Sequence, residues 1–493
     1  MTSLVSQRQV PERIGETQPV VAFDQQSRSW VTADELSYAH RSIKLPDVEG
    51  AFFTDEASLA AASTDYGQIL HRRPLAVLRP ASAEDIAQVI LFARQHDIQV
   101  AARGQGGSTF GQSLVEAGIV IDMSSLTAIH EITPNQIKVD AGIRWDELLR
   151  MTVAQGLTPP TTPDYLALSV GGMLSVGGLG SQTPWRGPLV DNLLELEVVT
   201  GRGQIVTCSP TQKSELFDAV RAGLGQFGII TKARIRLVPA PRLTRLYRAT
   251  YDDLSLFLSD MQLLLDEQRF DTLQGFVSVD EQGDWIYHLE VTKFFDGVAV
   301  PQDERLWAGL SYLPGTVTQQ DLPYFTGDLT RAGYVDRVAP YVDYLQAQGL
   351  WNVPHPWINV FVPSHTALDF IYDALSHTSL DDVGQGVISI YPYNHSPFVA
   401  PFFRVPATTH FFLFTLLRNA LPATSAQTEK LLAANRLLFE KAKAAGGMRY
   451  PVDSVPMTQQ DWADHFGQMW EIFGMFKQFF DPDHILAPGQ GIF

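Results

Sequence analysis

Ala102-Arg103-Gly104-Gln105-Gly106-Gly107-Ser108-Thr109-Phe110-Gly111-Gln112-Ser113 decides how this chain is read. It follows the strand-like run Ile98-Gln99-Val100-Ala101. Gly104, Gly106 and Gly107 crowd one turn, so the backbone is free to take positive φ and to approach a ligand closely. Successive exposed N–H groups in such a turn form a nest for an anion such as a pyrophosphate. The residues before it complete a unit. Residues 74–80 predict a short buried strand, and Ser82 is placed to cap a helix. Glu84 and Asp85 put negative charge in the first turn, and Ile86, Val89, Ile90 and Ala93 recur at helical spacing. Strand, capped helix, strand and glycine loop can hold a phosphate-bearing cofactor. On pattern alone the loop reads equally as a structural turn.

At 493 residues the chain exceeds one ordinary core, and two domains are expected. Hydrophobic residues make up 45% and charged residues 18%, the composition of a folded globular protein. The 36 Lys and Arg against 54 Asp and Glu leave a net charge of −18. That balance opposes nucleic acid and anionic membranes as partners and favours a neutral or cationic small-molecule substrate. The single cysteine, Cys208, forms no internal disulfide and no Cys-based zinc site, and is expected to be a buried, inert thiol. No metal is expected. Residues 1–29 lack the apolar core of a secretory signal, so a cytoplasmic location is expected. The apolar run 411–417 is too short to span a membrane.

An N-terminal extension is placed at 1–36, with an entry segment following it. From 74 to about 241, strands, helices and glycine turns alternate. Helices are predicted after Gly142, over 146–153, and over 214–222 with Ser214 as the cap. Residues 194–208 predict a hairpin around Gly201-Arg202-Gly203, and 229–238 a strand. Pro239-Ala240-Pro241 marks a domain boundary. Residues 242–445 mix strands, such as 275–279 and 285–291, with helices, such as 367–375. Residues 446–493 form an aromatic, partly helical closing segment.

Gly223-Leu224-Gly225-Gln226-Phe227-Gly228 matches G-x-G-x-x-G, but a predicted helix precedes it and a strand follows, the reverse of a dinucleotide fingerprint. A Rossmann nicotinamide site is therefore rejected. No P-loop and no H-E-x-x-H occurs. A second dense region runs from Thr161 to Gly180 and includes Pro163-Asp164-Tyr165 and two glycine pairs, Gly171-Gly172 and Gly177-Gly178. Asp164 stands in a neutral, apolar run. Unless paired, a carboxylate there has its pKa raised by desolvation, which suits it to accept a proton from a substrate N–H. An Asp after Pro is more often a turn residue or a cap.

Taken together, these segments resemble the cytokinin dehydrogenases, within the flavoprotein superfamily that includes vanillyl-alcohol oxidase. The resemblance runs from about Pro74 to Phe493. It rests on Ala102-Arg103-Gly104-x-Gly106-x-Ser108, Asp164-Tyr165-Leu166-x-Leu168-x-Val170-Gly171-Gly172, and Asn192 through Gly201. It continues in Gly223 through Thr231, His355-Pro356-Trp357-Ile358-Asn359 and Pro488-Gly489-Gln490-x-Ile492-Phe493.

The resemblance implies an α+β fold. A PCMH-type FAD-binding domain in two segments, 37–241 and 446–493, would surround an α+β substrate (cap) domain with an antiparallel sheet, 242–445. FAD would lie on Arg103, Gly104, Gln105, Gly106, Gly107 and Ser108, with Gln112 nearby. Asp164, Ser169, Ser175 and Leu179 would line it, Ile230 would meet its adenine side, and Tyr450 and Gln490 would close over it. Asp164 corresponds to the family's catalytic aspartate. It would accept the side-chain N–H of an N6-substituted adenine, or of another amine, while hydride leaves the adjacent carbon for the flavin. The resulting imine would hydrolyse to aldehyde and amine. Trp357 and Asn359 match substrate-pocket positions.

Two departures stand out. The family's flavin-linking histidine is here Gly107, and no cysteine lies between Asp164 and Gly180, so FAD is expected to be non-covalent. The family glutamate that holds the adenine-like ring aligns with Gln274, which carries no charge and is expected to bind substrate. The acceptor, oxygen or quinone, stays open. The same chemistry on an alcohol or natural-product intermediate is the first alternative, and a flavin-binding scaffold without turnover is the second.

Overall fold

The unit predicted around the glycine loop forms as a parallel layer in the computed structural model, which describes residues 20–32, 42–297, 301–327 and 333–493. Of the expected N-terminal extension, 1–19 and 33–36 lie outside the described residues. Within it, Val20–Asp24 pairs with Ser29–Thr32. The strand Ala76–Arg79 leads into the helix Ala83–Gln95, whose first turn is capped when Ser82 Oγ accepts the Asp85 N–H at 3.3 Å. Asp85 does more than complement the helix dipole. Its carboxylate accepts N–H groups of Glu49, Gly50 and Ala81 at 2.9, 2.8 and 2.7 Å, tying the entry segment to the helix start. Ile86, Val89 and Ile90 are fully buried against Ile119, Ile121 and Val100, so the helical spacing read from the sequence is the buried face.

The strand Val100–Arg103 follows, but Ile119–Asp122 inserts between it and Ala76–Arg79, parallel to both. The C-terminal segment returns to this layer. The N–H of Val100 donates to Ile485 O at 2.7 Å, and the N–H of Ala487 donates to Val100 O at 2.9 Å.

A second, five-stranded antiparallel sheet contains the expected hairpin, Leu193–Thr200 with Ile205–Cys208, and the strand Gly228–Arg236. Cys208 is fully buried, and desolvation pushes its thiol pKa up to about 12. The helix Ser214–Val220 departs from expectation at its start. The residue before it is Lys213 in a left-handed conformation, and Ser214 is its first helical residue, with no side-chain cap bond.

Among the described residues, a third sheet has eight strands, all antiparallel. In order these are Thr318–Pro323, Leu243–Tyr251, Trp285–Phe295, Thr272–Val279, Val387–Asn394, His410–Leu417, Ile358–Pro363 and Met448–Arg449. Alternate residues of a strand face opposite sides. Ile358, Val360, Ile388, Ile390, Phe414 and Leu416 therefore pack on the helices Leu254–Glu267, Ser364–Ser376 and Ser425–Ala444. Their neighbours in sequence, Asn359, Ser389, Tyr391 and Thr415, face the other way and line a cavity. The hydrophobic effect on one face, at about 1.5–3 kcal/mol per fully buried large aliphatic or Phe side chain, thus fixes which polar groups the other face presents. No helix among the described residues is long and apolar enough to cross a membrane.

Candidate active site

The glycine loop leaves its strand with its N–H groups unspent. The carbonyls of Gly106 and Ser108 accept the N–H groups of Tyr66 and Gly67, while the N–H groups of residues 105–108 find no acceptor among the described residues. Gly106 holds φ at +66°, as a left-handed turn requires. Gly104 is needed for space: a Cβ there would sit 1.9 Å from Ser169 Oγ. Behind the loop, Ser108 Oγ and the Gly111 N–H donate to Asp65 Oδ2 at 2.9 and 2.7 Å, and Arg103 Nη1 donates to Thr64 O at 2.7 Å. Burial raises the Asp65 pKa, and the Arg103 guanidinium lies against Gly106, where an added Cβ would meet its Nη2 at 2.3 Å. Gln112 fastens the loop to the C-terminal segment through Asp453 O at 2.9 Å.

These groups open into a cavity of about 350 Å³. Arg103, Gly104, Gln105, Gly106, Gly107, Ser108, Gln112, Asp164, Ser169, Ser175, Leu179, Ile230, Tyr450 and Gln490, each expected from sequence, all line it. Ser169 caps the helix Val170–Val176. The rejected G-x-G-x-x-G stretch runs from a helix to a strand, yet Leu224, Gly225 and Gly228 also form wall. The motif serves the cavity without being a dinucleotide fingerprint. An FAD fits this composition, with unspent amides for phosphate oxygens and apolar side chains such as Met173, Leu179, Leu224 and Ile229 for flat rings.

A second cavity of about 170 Å³ adjoins it, lined by Trp357, Asn359, Ser389, Tyr391, Tyr393 and Thr415 among others. Asp164, Leu179, Tyr450 and Val452 belong to both walls. Asp164 is the one carboxylate lining either cavity among the described residues. Asn359 donates its amide N–H to Val452 O, leaving its own oxygen as an acceptor. Ser389 and Thr415 share a hydrogen bond of 2.6 Å. Burial raises the phenol pKa values of Tyr391, Tyr393 and Tyr450, so all three are neutral donors.

Of the two readings left open for Asp164, the structure shows the paired one, while the substrate-binding role expected of Gln274 needs correction. Arg337 Nη2 donates to its Oδ1 at 2.8 Å and Gln274 Nε2 to its Oδ2 at 3.0 Å. Gln274 does not line either cavity. It is 2% exposed, its oxygen accepts a second bond from Arg337 Nη2 at 2.9 Å, and it faces Asp164 from behind. Sequence reasoning missed Arg337, Glu290 and the hydroxyl wall. The wall was available, because Ser389, Tyr391 and Tyr393 alternate with Ile388 and Ile390. Arg337 was not, since nothing in its local sequence ties it to a carboxylate 173 residues away.

Comparison with known proteins places this geometry. A family profile described as "FAD binding domain" matches residues 74–209, and one described as "Cytokinin dehydrogenase 1, FAD and cytokinin binding" matches residues 278–493. The chain is an FAD-dependent oxidoreductase. Cytokinin dehydrogenase 1 of Arabidopsis thaliana is 35% identical over 91% of this chain and 83% of its own length. Cytokinin dehydrogenase 9 of Oryza sativa subsp. japonica is 36% identical over 88% and 89%. An uncharacterized oxidoreductase, ORF5 in the fasciation locus of Rhodococcoides fascians, is 38% identical over 90% and 99%. This chain therefore belongs to the cytokinin dehydrogenase family. A crystal structure of 6-hydroxy-D-nicotine oxidase from Arthrobacter nicotinovorans shares the fold, with a TM-score of 0.68 at 20% identity over 89% of this chain and 96% of that one.

Proposed function

We propose that this protein dehydrogenates a small-molecule amine of the cytokinin type, removing hydride from the carbon next to an N–H group, after which the imine hydrolyses to an aldehyde and an amine. Bound FAD supplies the two-electron acceptor. The observation that carries this proposal is the position of Asp164 in the wall common to the two cavities. A substrate in the smaller cavity would present its N–H to Asp164, and the adjacent carbon to the larger one. Accepting that hydrogen bond raises electron density on nitrogen and favours hydride departure.

The charges around Asp164 narrow the substrate. Arg337 already offsets the carboxylate, so a neutral, weakly basic N–H, as on an N6-substituted adenine, suits the site better than an alkylammonium ion. Trp357 offers a flat wall and Asn359 an acceptor oxygen for the rest of the molecule. The N–H groups of residues 105–108 would hold the cofactor's diphosphate, and Tyr450 and Gln490 would close over it. Gly107 offers no side chain for a covalent bond, which supports a non-covalent flavin.

Anaerobic addition of isopentenyladenine tests the proposal. The yellow holoprotein is expected to bleach, and Asp164→Asn to retain its FAD while losing bleaching by 10²-fold or more. A holoprotein that keeps its colour with isopentenyladenine excludes that substrate, and bleaching by an alcohol instead would favour the alternative chemistry. An Asp164→Asn protein that bleaches at the parent rate would remove the aspartate from the mechanism.

A further inference from the structure

We infer that Arg337 is a positioning residue for Asp164, and that Arg337, Gln274 and Glu290 form a clamp holding the carboxylate in one orientation beside a counter-charge. This inference rests on the function proposed above for the role of Asp164, but the clamp itself is argued from geometry. One nitrogen of Arg337, Nη2, bonds both Asp164 Oδ1 and Gln274 Oε1, at 2.8 and 2.9 Å. Gln274 closes the triangle by donating to Asp164 Oδ2. Because its oxygen is taken by a donor and its nitrogen by an acceptor, the amide has only one satisfactory orientation. Each carboxylate oxygen is thus held by one donor from behind. The lone pairs that remain are those on the cavity side.

The charges extend the clamp. Arg337 Nε lies 3.5 Å from Glu290 Oε1, and Arg248 Nε donates to Glu290 Oε2 at 2.9 Å. Two carboxylates and two guanidiniums therefore alternate, and Arg337 divides its charge between Asp164 and Glu290. The Arg337 guanidinium lies 4.5 Å over the Tyr334 ring, and Tyr334 is fixed by donating to Ser181 Oγ at 2.9 Å. The other ionisable groups facing Asp164 are the phenols of Tyr334, Tyr391, Tyr393 and Tyr450, all with pKa values raised by burial and hence neutral. Among the described residues, Arg337 is the cation and Glu290 the second carboxylate of this set. The strand pairing explains the arrangement: Gln274 and Glu290 are direct cross-strand partners, with Arg248 opposite Glu290 on the next strand.

Removing Arg337 would leave Asp164 facing Glu290 without a counter-charge, so Asp164 would take up a proton at a higher pH. Removing the charge of Glu290 would leave Arg337 entirely to Asp164 and shift proton uptake the other way. A residue serving only stability would produce neither shift. The experiment reads Asp164 directly and without substrate: infrared difference spectra of the holoprotein across pH, with the Asp164 carboxyl band assigned by its loss in Asp164→Asn. The midpoint is expected to rise by about one pH unit or more in Arg337→Gln, to rise less in Arg337→Lys, and to fall in Glu290→Gln. With a working amine substrate, the acid limb of kcat/KM should move in step. Equal midpoints in wild type, Arg337→Lys and Glu290→Gln would overturn the clamp even if Arg337→Gln failed to fold. If the wild type oxidised no amine, the function proposed above would fail while the infrared midpoints still decided the clamp.

Discussion

Replacing Gly104 with alanine isolates one steric contact on which cofactor binding depends. Gly104 does not occupy the left-handed region, so alanine is compatible with its backbone, and the obstacle is space alone. The new Cβ would lie 1.9 Å from Ser169 Oγ and 2.8 Å from Ser169 Cβ. Rotating the Ser169 hydroxyl relieves the first clash but not the second. Ser169 cannot retreat freely, since it is 4% exposed, bridges to Arg144 and caps the helix Val170–Val176. The loop must shift instead, carrying the N–H groups of residues 105–108 away from their ligand. Overpacking of this kind costs about 1–3 kcal/mol. Expressed wholly in cofactor affinity, that is roughly a 5- to 150-fold rise in Kd. Titrating apoprotein with FAD and following the quenching of its fluorescence measures the ratio. Ser169→Gly in the same chain removes both offending atoms, and glycine at an N-cap in place of serine costs only a few tenths of a kcal/mol. The double variant should recover most of the affinity. Wild-type affinity in Gly104→Ala, or no recovery in the double variant, would refute the proposal that the contact between loop and helix cap shapes the nest.

Three further outcomes rest on other buried contacts of the fold. Lys477 Nζ donates to Gln226 O, Gln226 Oε1 and Leu486 O at 3.1, 3.0 and 3.1 Å and pairs with the fully buried Asp481 at 2.8 Å. Lys477→Met should therefore cost about 3–5 kcal/mol in urea unfolding, with Lys477→Met/Asp481→Leu costing less than the single change. Burial, reinforced by Arg449 and Arg404, holds the pKa of His465 down to about 3, so the unfolded chain binds a proton that the folded chain refuses. The stability contributed by the neutral ring is present above about pH 6.5 and is lost as pH falls towards 3, at up to about 1.4 kcal/mol per unit; His465→Gln should flatten that slope between pH 6.5 and 4.5, and an unchanged slope would count against it. A Cβ on Gly107 would meet Leu168 Cδ2 at 2.6 Å, the far end of a flexible side chain, so Gly107→His combined with Leu168→Ala should fold and give acid-precipitated protein that stays yellow, whereas wild-type precipitate should be colourless.

The cofactor side of the molecule was legible because its signals are local. A capped helix, a glycine-crowded turn and small residues near Ser169 each need only a few consecutive positions, whereas the wall residues Ile230, Tyr450 and Gln490 came from the family resemblance. The carboxylate environment was not legible for the opposite reason. Asp164, Gln274, Glu290 and Arg337 come from four separate segments, and cross-strand register brings Gln274 and Glu290 opposite one another. A neutral run around Asp164 in sequence therefore left its pairing open, because the partners arrive from distant segments. The same limit explains Gln274, which alignment placed at the family's ring-binding position without revealing the group its amide faces. Ser214 failed for a smaller reason: Lys213 adopts the left-handed conformation that ends the preceding turn, which displaces the helix start by one residue.

The walls of the larger cavity come from residues 100–113, 163–179, 224–230, 450–452 and 486–490, together with Met123 and Ala141, and its contents therefore act as a cross-link among these segments. A ligand that binds only the folded chain stabilises it by about 2.7 kcal/mol at a hundred times its Kd. Here that gain falls on the junctions where the C-terminal segment meets the first layer, through the Val100–Ile485 and Ala487–Val100 hydrogen bonds and through Gln112 on Asp453. The substrate cavity shares Tyr450 and Val452 with that junction, and Asn359 reaches it through Val452 O. Losing the cofactor would thus loosen the substrate pocket from its C-terminal side while leaving the Asp164 clamp, which belongs to the eight-stranded sheet and the segment around Arg337, largely intact. The two halves of the site are held by different parts of the chain, and Asp164, on the loop between them, is where a change in one is felt by the other.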